Sequence, residues 1–131
     1  MGQSKETSIG RAGEYFASHV FENHGVEVYR VDGDFDCILN LNKTLIRMEV
    51  KTTTAPRADR NVYQFRVRAH DADVYCFVAM NLGMMRLMLA KDVGSRTTIS
   101  FRPDQFTYEH QTSDLQQLFD LYNYDRTAQP W

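Results

Sequence analysis

Two alternating segments joined by a very short turn constrain the fold more than any other feature of the chain. Residues 35–41 (FDCILNL) and 44–53 (TLIRMEVKTT) are rich in apolar and β-branched side chains, and only Asn42 and Lys43 separate them. Strand-like segments with so short a connection are typical of a tight β-hairpin, although Asn-Gly would be a stronger turn signal. The sequence therefore predicts an antiparallel strand pair with its turn centred between Asn42 and Lys43.

That turn position fixes which residues face each other across the hairpin. It places Cys37 opposite Met48, which is an apolar pair, and Asp36 opposite Glu49, which is a pair of acids. Opposed residues on antiparallel strands share a face, with their Cβ atoms about 5 Å apart. Two carboxylates at that distance repel each other, so one must take up a proton unless a cation lies between them. Lys51 and a bound metal ion are the two available cations.

The second segment of the hairpin separates charged from apolar residues. In a strand, successive side chains point to opposite faces of the sheet. One face receives a charged set, and the other receives an apolar set: Arg47, Glu49 and Lys51 against Ile46, Met48 and Val50. The alternation predicts a sheet with core on one side and a reaction site on the other. The alternative is an ordinary solvated pair, Glu49 with Lys51, which would contribute little to stability.

An N-terminal helix is predicted over residues 5–24. Apolar and small residues recur there at helical spacing from Ile9 to Phe21, and Gly25 supplies a stop. Glu14 lies at the border of that apolar stripe, with Gly10 one turn earlier on the same edge. A carboxylate in this position can face whatever the helix packs against. Taken singly, Glu14 could equally be a surface acid, as could Asp36 near its turn.

The remaining pattern predicts several more strands and a closing helix. Strands are expected at residues 26–31, 62–67, 73–80, 84–90 and 97–101, of which 73–80 (DVYCFVAM) is apolar enough to be buried on both faces. A closing helix is expected to begin at Ser113, because Ser113 and Gln116 have the spacing of a capping box. The fold class is therefore α/β (α+β): a mixed central sheet flanked by helices.

Composition limits the setting in which the chain works. Its 131 residues are enough for one core, so we expect a single domain over 1–131. No apolar run approaches the length of a membrane span and no secretory signal is visible, which predicts an intracellular protein without a membrane partner. Cys37 and Cys76 lie in apolar segments and are expected to be buried free thiols. The formal charge of −2 argues against wholesale coating of nucleic acid.

The acidic residues and Lys51 together suit one kind of chemistry. Hydrolysis of a phosphodiester requires an activated water molecule and neutralisation of the charge on the phosphate. Converging carboxylates bind Mg²⁺ through hard oxygen atoms. Asp36 and Glu49 are the expected ligands, with the backbone carbonyl of Val50 as a third. Lys51 would contact the phosphate or orient the water, and Glu14 would hold a water bound to the ion or a second ion.

Three stretches resemble a known superfamily of nucleases. "GEYFA" (13–17), "DFDCIL" (34–39) and "MEVKTT" (48–53) are similar to the helix Glu, the Asp element and the Glu-x-Lys of PD-(D/E)XK nucleases. The chain is most similar to the Holliday junction resolvase-like group, which includes group I intron homing endonucleases. Phe35 stands where the signature has Pro. The likeness runs over roughly residues 7–80.

The resemblance implies a restriction-endonuclease-like core, catalysis with Mg²⁺ (or Mn²⁺ as a substitute) and DNA as the substrate. It also implies a homodimer or homotetramer, and a catalytic set of Glu14, Asp36, Glu49 and Lys51. The cations that follow Lys51 are expected to contact DNA phosphates: Arg57, Arg60, Arg66 and Arg68. Branched-DNA resolution and site-specific cleavage of the homing type both remain open. A catalytically inactive nuclease fold, kept as a DNA-binding or protein-interaction module, is the alternative from another class.

Overall fold

The computed structural model describes residues 5–30, 36–68 and 72–125, without the side chains of residues 5–7 and Asp36. The elements follow in this order: α1 (Lys5–Glu22), β1 (Glu27–Arg30), β2 (Asp36–Leu41), β3 (Thr44–Thr53), β4 (Tyr63–Arg66), β5 (Val74–Ala79), β6 (Met84–Leu89), α2 (Ala90–Val93), β7 (Thr98–Phe101) and α3 (Tyr108–Leu121). A single 3₁₀ turn, Pro103–Gln105, precedes α3. The strands agree with the predicted segments to within one or two residues at each end. Within the described ranges, no helix is both long and apolar enough to cross a bilayer.

The central sheet is mixed. Its strand order is β1-β2-β3-β5-β6, and β4 pairs with β7 in a separate two-stranded sheet. The β3–β5 pair is parallel, whereas β1–β2, β2–β3 and β5–β6 are antiparallel. With α1 and α3 packed on one side of this sheet, the predicted fold class is confirmed.

The hairpin formed by β2 and β3 has the predicted register. Cys37 pairs with Met48, and Asp36 pairs with Glu49. Asn42 and Lys43 both adopt positive φ angles, 55° and 69°. This conformation is that of a two-residue turn whose twist matches the right-handed twist of the strands. The hairpin therefore forms at Asn42 and Lys43 even though neither residue is glycine.

An aliphatic core lies between the sheet and the two long helices. It joins Ala17 and Phe21 of α1 with Leu39, Val50 and Phe119, all of which are almost fully buried. Gly13 brings α1 especially close to β3, because a Cβ atom at this position would overlap the side chain of Thr52. Helix α1 thus lies very close to the sheet near the C-terminal end of β3.

A second, aromatic core lies on the opposite face of the sheet. The β4–β7 pair, which we call the ribbon, covers β5 there and contributes Tyr63, Phe65 and Phe101 to the cluster. All six residues of β5 are buried, as expected for a strand covered on both faces. The prediction of a core on one side only was therefore wrong. The second face also carries a core, which extends over β5 and onto β6 and leaves Tyr29 and Leu45 on the same face about half exposed or more (48% and 63%).

The closing helix begins earlier than predicted. It starts at Tyr108, with Thr107 as its N-cap, and the Thr107 hydroxyl accepts a hydrogen bond from the His110 backbone N–H at 3.2 Å. The capping pair predicted at Ser113 and Gln116 lies inside the helix. The additional residues bring Gln111 over strand β6, beside Asp114.

Those two side chains cover the outer edge of the central sheet. The Met85 N–H donates to Gln111 Oε1 and the Leu87 N–H donates to Asp114 Oδ2, each at 2.9 Å. Asp114 also pairs with Arg86 at 2.8 Å. An apolar edge strand with free N–H groups is a template for pairing with another chain. Here α3 satisfies those donors from within the same molecule.

Candidate active site

The candidate active site lies where β2 begins and β3 approaches its end. Glu49 and Lys51 occupy alternate positions of β3 and project to the face that bears the ribbon, since their partners on β5 are Tyr75 and Phe77. The Lys51 Nζ atom lies 3.3 Å from Glu49 Oε1. Only 12% of the Glu49 side chain and 26% of the Lys51 side chain are exposed. This is a partly desolvated ion pair, unlike a solvated surface pair.

Asp36 occupies the position directly opposite Glu49. Its Cα is the cross-strand partner of the Glu49 Cα, as the hairpin register predicted. Its side chain lies outside the described part of the structure. The pairing itself brings two acidic positions together at one end of the sheet. Val50 follows Glu49 with its side chain in the aliphatic core, so only its backbone carbonyl is available to a site on the other face.

Glu14 reaches the same end of the sheet from the helical layer. Helix α1 approaches β3 at Thr52, next to Lys51, and Glu14 follows Gly13 at that crossing. The Glu14 side chain is only 9% exposed, and its Oε1 atom lies 3.3 Å from Nε of Arg30 at the end of β1. A carboxylate buried to this extent is more favourable when a cation compensates for its lost hydration. Glu14 thus faces the sheet rather than solvent.

Arg30 is a member of this region that the sequence analysis missed. Its guanidinium carbon lies 3.6 Å from the centre of the Tyr15 ring, in a cation–π contact, while Nε faces Glu14. Neighbouring residues of α1 therefore hold Arg30 in two ways. No sequence signal identified it, because a helix residue and a strand residue meet here only through packing. The sequence hint to it is its place just before Asp32, Gly33 and Asp34, residue types that are typical of turns.

The four predicted DNA-contacting arginines divide into two pairs. Arg57 is held in its own loop, where Nε and Nη2 bind Asp59 at 3.1 Å and Nη1 donates to Gln64 Oε1 at 2.8 Å. These hydrogen bonds lower the pKa of the Asp59 carboxyl. Arg60 is exposed and lies 4.0 Å from Asp59. Arg66 and Arg68 are exposed, and in the described ranges no hydrogen bond or ion pair occupies either guanidinium.

The donor chemistry of this site suits a hard divalent cation, with one condition. Glu14, Glu49 and the Val50 carbonyl offer oxygen ligands of the kind that Mg²⁺ prefers. Among the side chains that the structure describes, which exclude that of Asp36, no group of three His, Cys, Asp or Glu residues could share an ion. Asp36, whose Cα pairs with that of Glu49, is the further carboxylate that a metal site here requires. The fit therefore depends on Asp36.

Solved structures share the fold of this chain. No protein-family model and no curated protein sequence matches this chain. The chain is similar to the bacterial homing endonuclease I-Ssp6803I, with a TM-score of 0.74 and 14% sequence identity. The match covers 94% of this chain and 96% of that chain. The fold is thus that of a homing endonuclease over almost its whole length, and at this identity the fold is what the two proteins share.

Proposed function

We propose that this protein is a Mg²⁺-dependent DNA endonuclease that hydrolyses phosphodiester bonds with Glu14, Asp36, Glu49 and Lys51. The observation that carries the proposal is the pairing of Asp36 with Glu49 beside a partly buried Lys51–Glu49 contact. Two acidic positions opposite each other destabilise a fold unless a cation joins them. The similarity to I-Ssp6803I supports the same class of reaction.

The acidic and basic side chains would have different roles in catalysis. Asp36, Glu49 and the Val50 carbonyl would hold Mg²⁺, with Mn²⁺ as a substitute. When bound, the ion would supply Lewis-acid stabilisation of phosphate charge and favour deprotonation of water. Lys51 would place its Nζ against a phosphate oxygen, where negative charge accumulates in the transition state. Glu14, oriented by Arg30, would position the attacking water.

We propose DNA as the substrate and a two-fold symmetric assembly as the acting form. A protein of 131 residues can contact only a limited stretch of duplex on its own. A homodimer or homotetramer would present one active site to each strand of a two-fold symmetric site. Arg60 and Arg68 would neutralise DNA phosphates around the site. Arg57 would organise the loop between β3 and β4.

Cleavage assays test this proposal directly. The purified chain is incubated with supercoiled plasmid and with a synthetic four-way junction, in Mg²⁺, Mn²⁺ or EDTA. Lys51→Ala and Glu49→Gln should each lower the cleavage rate about 100-fold or more, as expected for loss of a group that stabilises the transition state. Lys91→Ala and Glu109→Gln, at exposed positions, are matched controls and should cleave normally.

The outcomes separate the candidate functions. Preference for the junction would indicate a resolvase, whereas discrete products from linear DNA would indicate site-specific cleavage of the homing type. Equal activity in wild type, Lys51→Ala and Glu49→Gln would refute the site. DNA binding without cleavage under every metal condition would instead support an inactive nuclease fold that serves as a binding module.

A further inference from the structure

The ribbon formed by β4 and β7 has two faces of opposite character. Its register pairs Gln64 with Ser100 and Arg66 with Thr98 on the outer face. The intervening residues face inward and are buried: Tyr63, Phe65, Ile99 and Phe101. The ribbon is therefore fixed to the body of the protein by one face and presents the other to solvent.

The inner face holds the ribbon rigidly. The Phe77 ring on β5 lies 5.0 Å from the ring of Phe65 and 5.5 Å from that of Phe101. Tyr63 adds a polar anchor, because its hydroxyl accepts a hydrogen bond from Asn81 Nδ2 at 2.9 Å. Packed aromatic pairs of this kind favour one arrangement over others. The outer side chains are thus presented from a well-defined position.

The outer face carries only side chains that can hydrogen-bond outward. Arg66, Thr98 and Ser100 are exposed, and Gln64 is half-buried. Apolar and acidic residues do not occur among these four positions. Arg57 donates to Gln64 Oε1 at 2.8 Å, which leaves the Gln64 amino group directed away from that contact. Within the part of the chain that the structure describes, Arg66, Thr98 and Ser100 make no side-chain hydrogen bond that would occupy them.

The ribbon lies on the same side of the central sheet as the candidate active site. It packs on Tyr75 and Phe77, whose neighbours across the β3–β5 pair are Glu49 and Lys51. Layers of packed sheet are about 10 Å apart, so the outer face of the ribbon stands above the plane from which Glu49 and Lys51 project. A duplex whose backbone entered the site would therefore meet the ribbon alongside it.

We infer that the β4–β7 ribbon enters the major groove of duplex DNA, where Arg66, Thr98 and Ser100 contact the edges of the bases. This inference rests on the proposed endonuclease function and adds to it the residues that select the sequence. The major groove is about 12 Å wide and accommodates a two-stranded β-ribbon. Arginine binds guanine through two hydrogen bonds, and hydroxyl groups bind several base edges. A solvated strand face is the alternative, and it would have no effect on the sequence bound.

Selection of bound DNA from a random library tests the inference. A duplex library with a randomised region of about 20 base pairs is bound in Ca²⁺ in place of Mg²⁺, and the retained DNA is sequenced. The wild type should enrich a motif. Arg66→Ala and the double variant Thr98→Ala with Ser100→Ala should each lose roughly tenfold preference at particular positions of that motif. Binding of the double variant to duplex of random sequence should stay within about twofold of wild type, because phosphate contacts supply non-specific affinity.

Matched hydroxyl changes elsewhere provide the control. Thr112→Ala with Ser113→Ala removes the same two groups from the exposed face of α3, on the other side of the molecule, and should leave the motif intact. Unfolding in urea confirms that each variant is folded.

Other results overturn the inference in recognisable ways. An unchanged motif in both ribbon variants refutes it. A uniform loss of affinity in Arg66→Ala, with the salt dependence reduced by about one phosphate contact, identifies Arg66 as a backbone contact and also refutes base reading. Wild-type binding without any enriched motif refutes the inference while the endonuclease function stands. Failure of the wild type to bind DNA refutes both.

Discussion

On its helix side, the central sheet is covered by α1 and α3 from β1 to β6, whereas on its ribbon side the cover lies over β5, β6 and part of β3. The helix side is filled mainly by aliphatic residues such as Leu39 and Met48. The ribbon side is filled by aromatic rings around Phe77. Strand β3 lies at the boundary of the ribbon-side layer, which is the smaller of the two. Its apolar residues are therefore buried on one face while Glu49 and Lys51 on the other still reach the surface.

This comparison explains where a charged site can exist on a small protein. A central strand covered on both faces has no room for Lys or Glu, because burying a charge without compensation is costly. A strand at the edge of the covering layer is still hydrogen-bonded to a neighbouring strand on each side. One of its faces remains accessible to solvent. Strand β3 satisfies these conditions, and β5, only one strand away, does not.

The largest effect should come from removing the central ring of the ribbon-side core. Phe77→Ala should lower the free energy of unfolding by about 3–5 kcal/mol, because Phe77 is fully buried against Phe65 and Phe101. Urea denaturation measures this change. Phe77→Leu, which keeps most of the volume, should cost less than about 1.5 kcal/mol. Substitutions at the surface typically change stability by about 0.5 kcal/mol. A loss of stability below about 1 kcal/mol in Phe77→Ala would be close to that scale and would mean that the ribbon does not pack on β5.

On the helix side, the largest polar effect should arise at the edge strand. Gln111→Ala leaves the buried Met85 N–H without its acceptor, which should cost about 1–3 kcal/mol. Gln116→Ala in the same helix is the control, since Gln116 is exposed and should change stability by no more than about 0.5 kcal/mol. Equal stabilities for the two variants in urea denaturation would show that α3 does not satisfy the β6 edge.

A somewhat smaller effect is expected where helix α1 touches β3. Gly13→Ala places a methyl group into the side chain of Thr52, at a cost of about 1–3 kcal/mol, offset by as much as about 1 kcal/mol of improved helix propensity. Thr52→Ala should recover part of the loss in the double variant, because it removes two of the three overlapping atoms. Thermal unfolding of the four proteins measures the coupling. If the stability changes of the two substitutions simply added in the double variant, helix α1 would have to lie farther from strand β3 than the structure shows.

The smallest signal should come from chemical labelling of the two cysteine thiols in the native protein. Cys37 and Cys76 are buried, and burial raises the pKa of the Cys76 thiol well above its usual value. The reactive thiolate is therefore scarce even at about pH 8. A colourimetric thiol reagent should label neither cysteine in the native state and both in urea. Rapid native labelling of one thiol would show that the aliphatic core opens readily.

The hairpin shows how much of the site is encoded locally. A period of two and a two-residue connection are local features, and they suffice to place Asp36 opposite Glu49 and Lys51 beside Glu49. The N-cap of α3 shows the limit. Both Thr107 and Ser113 are competent caps, and the choice depends on whether Gln111 and Asp114 reach β6, which is a long-range contact.

Local sequence encodes the hairpin register, the doubly buried strand and the charged positions of β3, because each follows from the direction of side chains along one short segment. Packing of the folded chain brings Arg30 to Glu14, pairs β7 with β4 and limits the cover on the second face to β5, β6 and part of β3. These contacts join residues far apart in the chain. Their free energy depends on how whole layers pack, and no local pattern encodes that.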